Sequence, residues 1–204
     1  MKGNLYTLCY AAILGAVCAF LLTAAASFTE PYKTANEEAE EVLNILGALK
    51  VSFDEDASSE ELLDIFNSDV RTETRGDIEL FVYSPKEAAG KTEAVVVRFI
   101  GPGLWGQVKG FLALESDMRT IRGLTFYHHE ETPGLGGEIS ADWFRQQFVG
   151  KSIVDATGKG GIVIRTGGGA ANNEVDGITG ATMTCDKVQE MLNKVIVSIV
   201  EESD

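Results

Sequence analysis

The chain has a long apolar segment near its N-terminus, over residues 5–28, which contains no charged residue. A helix rises about 1.5 Å per residue, so about 20 residues cross the roughly 30 Å hydrocarbon core of a bilayer. The segment is longer than the apolar core of a signal peptide, usually about 7–15 residues. We therefore predict one uncleaved transmembrane helix in contact with membrane lipid. A cleaved signal peptide is the alternative.

The charges that flank this segment suggest an orientation. Lys2 is the only charged residue before Glu30. Under the positive-inside rule, the N-terminus then faces the cytoplasm and the large C-terminal part lies on the outer side of the membrane.

The next residues, 29–75, have the pattern of a helical connector. Pro31 suits a first helical turn, and the acidic stretch 54–56 is expected to end the helix. Ser58 and Glu61 have the spacing of a capping box, which predicts a short helix through Phe66. The apolar positions that predict the first helix are Ala35, Ala39, Val42, Leu43, Ile45 and Leu46.

From residue 76 onward the apolar pattern changes to that of strands. Ile78, Leu80 and Val82 alternate with other residues, as in a strand with one buried face. Ser140 is expected to cap a helix that carries Trp143 and Phe144, together with Phe148. Further strands are predicted over residues 94–100, 111–114, 121–127 and 162–164, with a hairpin turn at 115–117.

The last segment has the clearest helical period. Its apolar residues follow i, i+3, i+4, i+7 spacing, which predicts an amphipathic helix that packs against a sheet. Those residues are Val188, Met191, Leu192, Val195, Ile196, Ile199 and Val200. Strands followed by packed helices predict an α+β fold for residues 76–204.

Composition narrows the possible partners and covalent links. The 204 residues are enough for one core of ordinary size. With 17 basic and 31 acidic residues the net charge is −14, which argues against nucleic acid as a partner. Cys185 is the only cysteine after the apolar segment, so a disulfide within the C-terminal part is excluded.

Two motifs suggest sites that their context does not support. Residues 101–106 match G-x-G-x-x-G, but a strand pattern follows where a dinucleotide fold needs a helix. A glycine-rich turn is the better interpretation, in which Trp105 either packs in the core or forms a flat wall for a ligand. His128 and His129 are adjacent, and adjacent strand residues point to opposite faces, so we predict no metal site.

Two glycine-rich segments, residues 131–138 and 176–184, carry the candidate chemistry. The second leads into the last helix, where Thr182 or Thr184 is placed to act as the N-cap. Unpaired N–H groups and the helix dipole favour an anion at such a position. Gly180 and Ala181 leave room for one to approach. On the residues alone, an ordinary threonine cap is the simpler interpretation.

These segments resemble a known family. Asp176 followed by Thr179-Gly180-Ala181-Thr182 resembles the covalent-flavinylation signature of the FMN-binding domain family, with Thr179 in place of the commoner serine. Residues 103–105, 110–115, 123–127 and 131–138 are similar to the NqrC proteins, the C component of sodium-translocating NADH:quinone oxidoreductases. The G component of the RNF electron-transport complex shares the signature and the anchor, and is the alternative.

The resemblance implies a fold and a set of site residues. It implies an FMN-binding domain with a mainly antiparallel sheet, in which Thr182 bears FMN through a phosphoester. Thr132 and Leu135 match positions that line the isoalloxazine, and Trp105 matches an aromatic residue beside it. Thr179, Gly180 and Ala181 complete the signature. Asp176 is expected to help a flavin transferase, which uses FAD and magnesium, and Arg165 is the expected basic residue near the flavin.

The function implied is electron transfer within a redox-driven, ion-translocating NADH:quinone reductase. The subunit relays electrons through covalent FMN and needs no catalytic residue or metal of its own. Its expected partners are the other subunits, and its expected location is the bacterial inner membrane, with the domain on the periplasmic side. A stand-alone anchored FMN module and an adaptor without flavin remain alternatives.

Overall fold

The computed structural model describes residues 2–51, 57–76, 78–86 and 91–203. The contacts divide the chain into two compact units, Met1–Ala39 and Glu40–Asp204, which are described separately. The elements, in chain order, are α1 (Lys2–Leu49), α2 (Ser59–Asp69), β1 (Val70–Arg75), β2 (Ile78–Tyr83), β3 (Ala94–Pro102), β4 (Gln107–Glu115), β5 (Ile121–His128), α3 (Asp142–Arg145), β6 (Val163–Arg165), β7 (Glu174–Asp176) and α4 (Thr182–Ser203). Short 3₁₀ turns at Gly136–Ser140 and Gln146–Phe148 flank α3.

The first unit is helical. Within α1, the segment Leu5–Glu30 has a mean hydropathy of 2.2 and exposed side chains, and it is long enough to cross a bilayer. Its length and composition support the membrane anchor predicted from the sequence. The predicted boundaries of the anchor and the connector stay predictions.

The end of α1 belongs to the second unit. Lys50 has a positive φ of 55°, its N–H donates to the Gly47 carbonyl, and the Val51 N–H donates to the Leu46 carbonyl. These two bonds form a Schellman motif, which ends the helix. The acidic stretch 54–56, predicted to end it, lies outside the described residues.

Helix α2 begins with the predicted capping box. The Ser58 side chain accepts from the Glu61 N–H, and the Glu61 carboxylate accepts from the Ser58 N–H. The helix continues past Phe66 to Asp69 and is followed directly by β1. The sequence pattern did not predict β1, because all of its residues except Val70 are exposed and no alternation marks it.

The main sheet has five strands in the order β1-β2-β3-β4-β5, each antiparallel to the next. The predicted mainly antiparallel sheet is thus confirmed. One apolar row across a face consists of Leu80, Val97, Leu112 and Leu124. This face packs in the same core as α4, whose Val188, Leu192 and Ile196 are fully buried.

The opposite face of the sheet packs with the end of α1. Ile45, Ala48 and Leu49 are fully buried there. Arg122 Nε donates to the Leu49 carbonyl at 2.7 Å, and Thr125 Oγ1 donates to the Asn44 carbonyl at 3.2 Å. The helix end and β5 are therefore joined by hydrogen bonds as well as by packing.

The glycine-rich residues 101–106 lie between two strands, as the sequence interpretation required. The Gly103 N–H donates to the Gly106 carbonyl at 2.7 Å, which closes a tight turn between β3 and β4. Because β4 follows the turn, the helix that a dinucleotide site needs is replaced by a strand.

Two other local predictions need correction. The expected Ser140 cap is wrong: Ala141 is the N-cap of α3, without a side-chain bond, and the buried Ser140 Oγ has no partner among the described residues. Phe144 lies on α3, whereas Phe148 lies in the 3₁₀ turn that follows it; both side chains are buried. The predicted strand 162–164 corresponds to β6, but its parallel partner β7 was missed because three residues carry no usable period.

Candidate functional site

A cavity of about 320 Å³ lies where three segments of the second unit meet. The segments are the turn between β3 and β4, the residues after β5, and the start of α4. This volume is within the usual range for small-molecule sites. The lining residues are Leu104, Trp105, Glu131, Thr132, Leu135, Gly136, Gly180, Ala181, Thr182, Met183 and Thr184.

Thr182 is the first residue of α4, and its side chain is exposed in this cavity. The Ala181 carbonyl accepts the first helical hydrogen bond, from the Cys185 N–H at 3.0 Å. Ala181 therefore occupies the N-cap position. The expectation that Thr182 or Thr184 caps the helix is wrong.

The start of α4 provides donors for an anion. Within the part of the chain that the structure describes, the N–H groups of Thr182, Met183 and Thr184 have no hydrogen-bond acceptor. These groups carry the positive end of the helix dipole, which favours a phosphate close to Thr182. No lysine, arginine or histidine is among the lining residues, so the positive potential at the described cavity wall comes from backbone groups.

Gly180 allows the chain to turn into α4. Its φ is +82°, a left-handed conformation that disfavours residues with a side chain. The Ala181 N–H then donates to the Ile178 carbonyl at 3.0 Å, which places the small side chain of Ala181 at the cavity. The glycine and alanine of the signature thus keep the approach to Thr182 open.

The walls of the cavity are largely apolar. The side chains of Trp105 and Leu135 are 69% and 45% exposed, and Leu104 and Met183 add two further exposed apolar groups. The Thr132 carbonyl accepts from the Leu135 and Gly137 N–H groups at 3.1 and 2.9 Å, and so holds the loop that carries Leu135. Exposed apolar side chains around a cleft are suited to a flat, partly apolar ligand.

Glu131 lies beneath these walls and is only 4% exposed. Its Oε1 accepts from the Leu104 N–H at 2.7 Å and from the Trp105 N–H at 3.2 Å. Its Oε2 accepts from the Thr184 hydroxyl at 2.6 Å. In the sequence, Glu131 stood out only as the first residue of the glycine-rich segment 131–138. One further feature of the sequence could have drawn attention to it, since Glu131 is an acidic residue shortly after the buried strand β5.

Three of the sequence-predicted residues do not line the cavity. Asp176, at the end of β7, accepts the Gly167 N–H on Oδ1 at 2.7 Å. Arg165 forms an ion pair with the buried carboxylate of Glu174. Thr179 is exposed in the turn that leads to α4. The roles expected for these residues in flavin binding stay predictions.

The Cys185 thiol, three residues after Thr182, is buried. Burial raises the pKa of the Cys185 thiol, nearby Asp186 and Asp176 raise it further, and the hydrogen bond from the Ile178 N–H lowers it by less. The thiol therefore stays protonated near neutral pH. Among the described residues, no group of three or more His, Cys, Asp or Glu is arranged to hold a metal ion.

The cavity fits a flavin mononucleotide in chemical terms. The apolar side chains of Trp105 and Leu135 suit a flat ring system, and the free N–H groups at the start of α4 suit a phosphate. An exposed hydroxyl, that of Thr182, lies at the phosphate end. The fold and this site have the features of a domain that binds FMN, and the chain also carries a membrane-length apolar helix.

Comparison with known proteins supports this class. The family model "FMN-binding domain" matches residues 103–197, and this match supports FMN as the cofactor. The C component of the Na(+)-translocating NADH-quinone reductase (NqrC) from Yersinia pestis is 40% identical over 114 residues, which are 55% of this chain and 43% of the relative. NqrC from Pseudomonas aeruginosa is 39% identical over 112 residues, 52% of this chain and 43% of the relative.

Solved structures show the same similarity. The crystal structure of the corresponding component from Parabacteroides distasonis has a TM-score of 0.70 and 28% identity, and the match covers 83% of this chain and 94% of that one. Shewanella oneidensis NqrC, at 23% identity and a TM-score of 0.66, shares the fold; the match covers 81% of this chain and 99% of that one. The resemblance and fold class expected from the sequence are confirmed, although the matches span less than half the length of the curated relatives.

Proposed function

We propose that this chain is a membrane-anchored flavoprotein subunit of a Na(+)-translocating NADH:quinone oxidoreductase, and that it carries FMN as a phosphoester on Thr182. The observation that supports the attachment site best is the position of Thr182. It is the first residue of α4, it is exposed in the cavity, and it follows the Gly180 turn. The names of the relatives support the assignment to this complex.

When bound, FMN supplies reversible electron transfer, and the chain supplies its position and surroundings. The N–H groups at the start of α4 hold the phosphate, and Trp105 and Leu135 contact the ring system. Thr132 fixes the loop of Leu135 through its carbonyl. No side chain of this site needs to act as an acid, base or nucleophile during turnover, because electron transfer neither makes nor breaks a bond between the flavin and the protein.

Maturation requires a flavin transferase, and Asp176 is the residue proposed to assist it. Asp176 is exposed and lies outside the cavity, in contact with the Gly167 loop. An exposed carboxylate close to the attachment turn is accessible to an enzyme that brings FAD and magnesium. Arg165 is proposed as the basic residue near the flavin, and its backbone lies close to the attachment turn because the Gly177 N–H donates to its carbonyl at 3.0 Å.

The attachment is tested by expressing the full chain with a flavin transferase and viewing a denaturing gel under ultraviolet light. We expect a fluorescent band for the wild-type chain and none for Thr182→Ala, since only a covalent flavin survives denaturation. Peptide mass mapping should place the flavin on Thr182 rather than Thr184. Thr166→Ala, which removes an exposed threonine outside the cavity, is the control and should stay fluorescent. A dark wild-type band contradicts the proposal.

The assignment to a complex is tested by copurification from the native membrane. We expect the chain to purify with other subunits of an NADH:quinone reductase. Purification with components of an RNF complex would establish the RNF alternative instead. A flavinylated chain that purifies alone would make it a stand-alone module. The orientation is tested separately with spheroplasts. Added protease should cut the C-terminal domain if this domain lies on the periplasmic side of the membrane.

A further inference from the structure

We infer that Glu131 is a positioning residue that fixes the Trp105 turn relative to the start of α4. It thereby sets the distance between the ring wall and the attachment hydroxyl of the flavin site. The use of this geometry rests on the proposed function. The mechanical link itself does not, because it consists of contacts within the protein.

The hydrogen bonds of Glu131 join segments that are far apart in the chain. Leu104 and Trp105 are 27 and 26 residues away, and Thr184 is 53 residues away. One carboxylate oxygen receives both N–H groups of the turn, and the other receives the hydroxyl of the helix. The two segments therefore share a single rigid carboxylate as their acceptor.

Because Glu131 is buried, its carboxylate depends on these hydrogen bonds. Glu131 is 4% exposed, and among the described ion pairs it has no cationic partner. A buried carboxylate is costly unless donors satisfy it, and hydrogen bonds to a charged acceptor are stronger than bonds between neutral groups. Among the described residues the Thr184 hydroxyl is the one donor to Oε2, so its loss leaves a buried oxygen without compensation.

Packing holds the carboxylate in one position. A Cβ added at Gly103 would lie 2.5 Å from Oε1, and one at Gly136 would lie 2.7 Å from Oε2 and 2.5 Å from the Thr184 hydroxyl oxygen. At both glycines the backbone passes so close to the carboxylate that an added methyl group would force an atom to shift. Close packing on both sides prevents the side chain from shifting to compensate for a lost donor.

The test uses Trp105 as a reporter in the full chain without flavin. The chain has two tryptophans, so Trp143→Phe leaves Trp105 as the only one. In that background Thr184→Val removes the hydroxyl at nearly constant volume. We expect the fluorescence anisotropy of Trp105 to fall, because among the described hydrogen bonds Thr184 is joined to the turn through Glu131. Thr184→Ser, which keeps a hydroxyl, should restore the anisotropy.

A second variant, Glu131→Met, removes the acceptor and keeps the volume. We expect it to lower the anisotropy as well, and Thr184→Val added to it should cause no further change. An equal drop in both backgrounds, or no drop in either, overturns the inference. If Thr184→Val does not fold, Glu131→Met alone decides: a cooperatively melting protein with unchanged Trp105 anisotropy overturns it.

Flavin loading gives the functional reading. With transferase present, we expect the initial rate of covalent loading to fall about tenfold in Thr184→Val, the loss typical of one hydrogen bond to a charged group. Thr184→Ser should load at close to the wild-type rate. Normal loading of Thr184→Val overturns the inference, whereas failure of the wild-type chain to load contradicts the proposed function and leaves the anisotropy result to decide on Glu131.

Discussion

At the scale of single residues, the two threonines at the start of α4 have opposite environments. Thr182 is exposed in the cavity, whereas Thr184 is 1% exposed and donates to Glu131. Both residues line the cavity, but residues two apart on a helix point about 200° away from each other, so the Thr182 side chain is exposed while that of Thr184 is enclosed. Within one helical turn, Thr182 is therefore the proposed attachment site, and Thr184 supplies a hydroxyl that binds Glu131.

The space around Glu131 leads to a prediction for Gly136→Ala. The added methyl would overlap both the Glu131 carboxylate and the Thr184 hydroxyl, so we expect a loss of about 1–3 kcal/mol in the free energy of unfolding and a marked loss of covalent flavin. Gly134→Ala is the control. At φ +75° with nothing within 4 Å, it should cost about 1–2 kcal/mol of backbone strain and keep the flavin. Denaturant titration and in-gel fluorescence measure the two effects; flavin loading equal to wild type in Gly136→Ala would contradict this prediction.

Asp117, in the turn between β4 and β5, leads to a pH prediction. Burial raises the pKa of this carboxyl, but hydrogen bonds from Thr120 and the Arg119 N–H, with the Arg119 charge, outweigh that and hold it below its ordinary 3.8. A lower pKa in the folded chain gives stability that is complete above the unfolded pKa and disappears as pH falls through the folded one.

We therefore expect Asp117→Asn to lower the free energy of unfolding at neutral pH by about 1 kcal/mol, because the Thr120 hydroxyl loses its acceptor. The difference from the wild-type chain should shrink as pH falls below 3.8. Chemical denaturation at a series of pH values measures it. A difference that stays constant across the acid range would show that this carboxylate contributes no pH dependence.

At the scale of elements, the end of α1 and β5 approach each other closely at a glycine. A Cβ at Gly123 would overlap the carbonyl oxygen of Ala48, whereas a Cβ at Gly47 meets only the Thr125 methyl at 3.8 Å. The close approach of α1 to β5 therefore depends on the missing side chain of Gly123, and not on that of Gly47.

The two glycines give a matched pair of substitutions. Gly123→Ala should lower the free energy of unfolding by about 1–3 kcal/mol, because backbone must move to admit the methyl. Gly47→Ala should be neutral or stabilising by up to about 1 kcal/mol, since it removes a glycine from a helix without a clash. Denaturant titration of both variants checks the contrast, and equal effects would mean that α1 does not pack on β5 as described.

At the scale of the whole molecule, the chain has two compact units that differ in composition. The first contains the apolar helix Leu5–Glu30 with exposed side chains, and the second contains both sheets and the cavity. The matches to the solved structures of relatives cover 83% and 81% of this chain. This division supports a domain that folds without the anchor.

We expect a chain that starts at Glu40 to be soluble and to accept flavin when transferase is present. The full chain should stay in the membrane after an alkaline wash, because an inserted helix resists extraction. Fractionation followed by in-gel fluorescence measures both. Recovery of the full-length gene product as a shortened soluble chain would identify residues 5–28 as a cleaved signal peptide.

Much of the fold could be predicted because its determinants are local. The apolar period of α4, the alternation in β2, and the capping box of α2 each involve residues within a single helix or a single strand. The elements that were missed, β1 and β7, are short or exposed and carry no period. The expected Ser140 cap was wrong because Ala141 takes the N-cap position of α3.

The site divides in the same way. The sequence alone predicted the apolar anchor and the α+β pattern. Through the resemblance around residues 176–182, it also predicted Thr182 as the attachment residue for FMN. Only the tertiary structure decided that Thr182 is not a cap, that Trp105 and Leu135 line one cavity with it, and that Glu131 joins the Trp105 turn to the start of α4. The physical reason is that these contacts link residues up to 53 positions apart, and such contacts depend on the packing of the whole domain rather than on any local period.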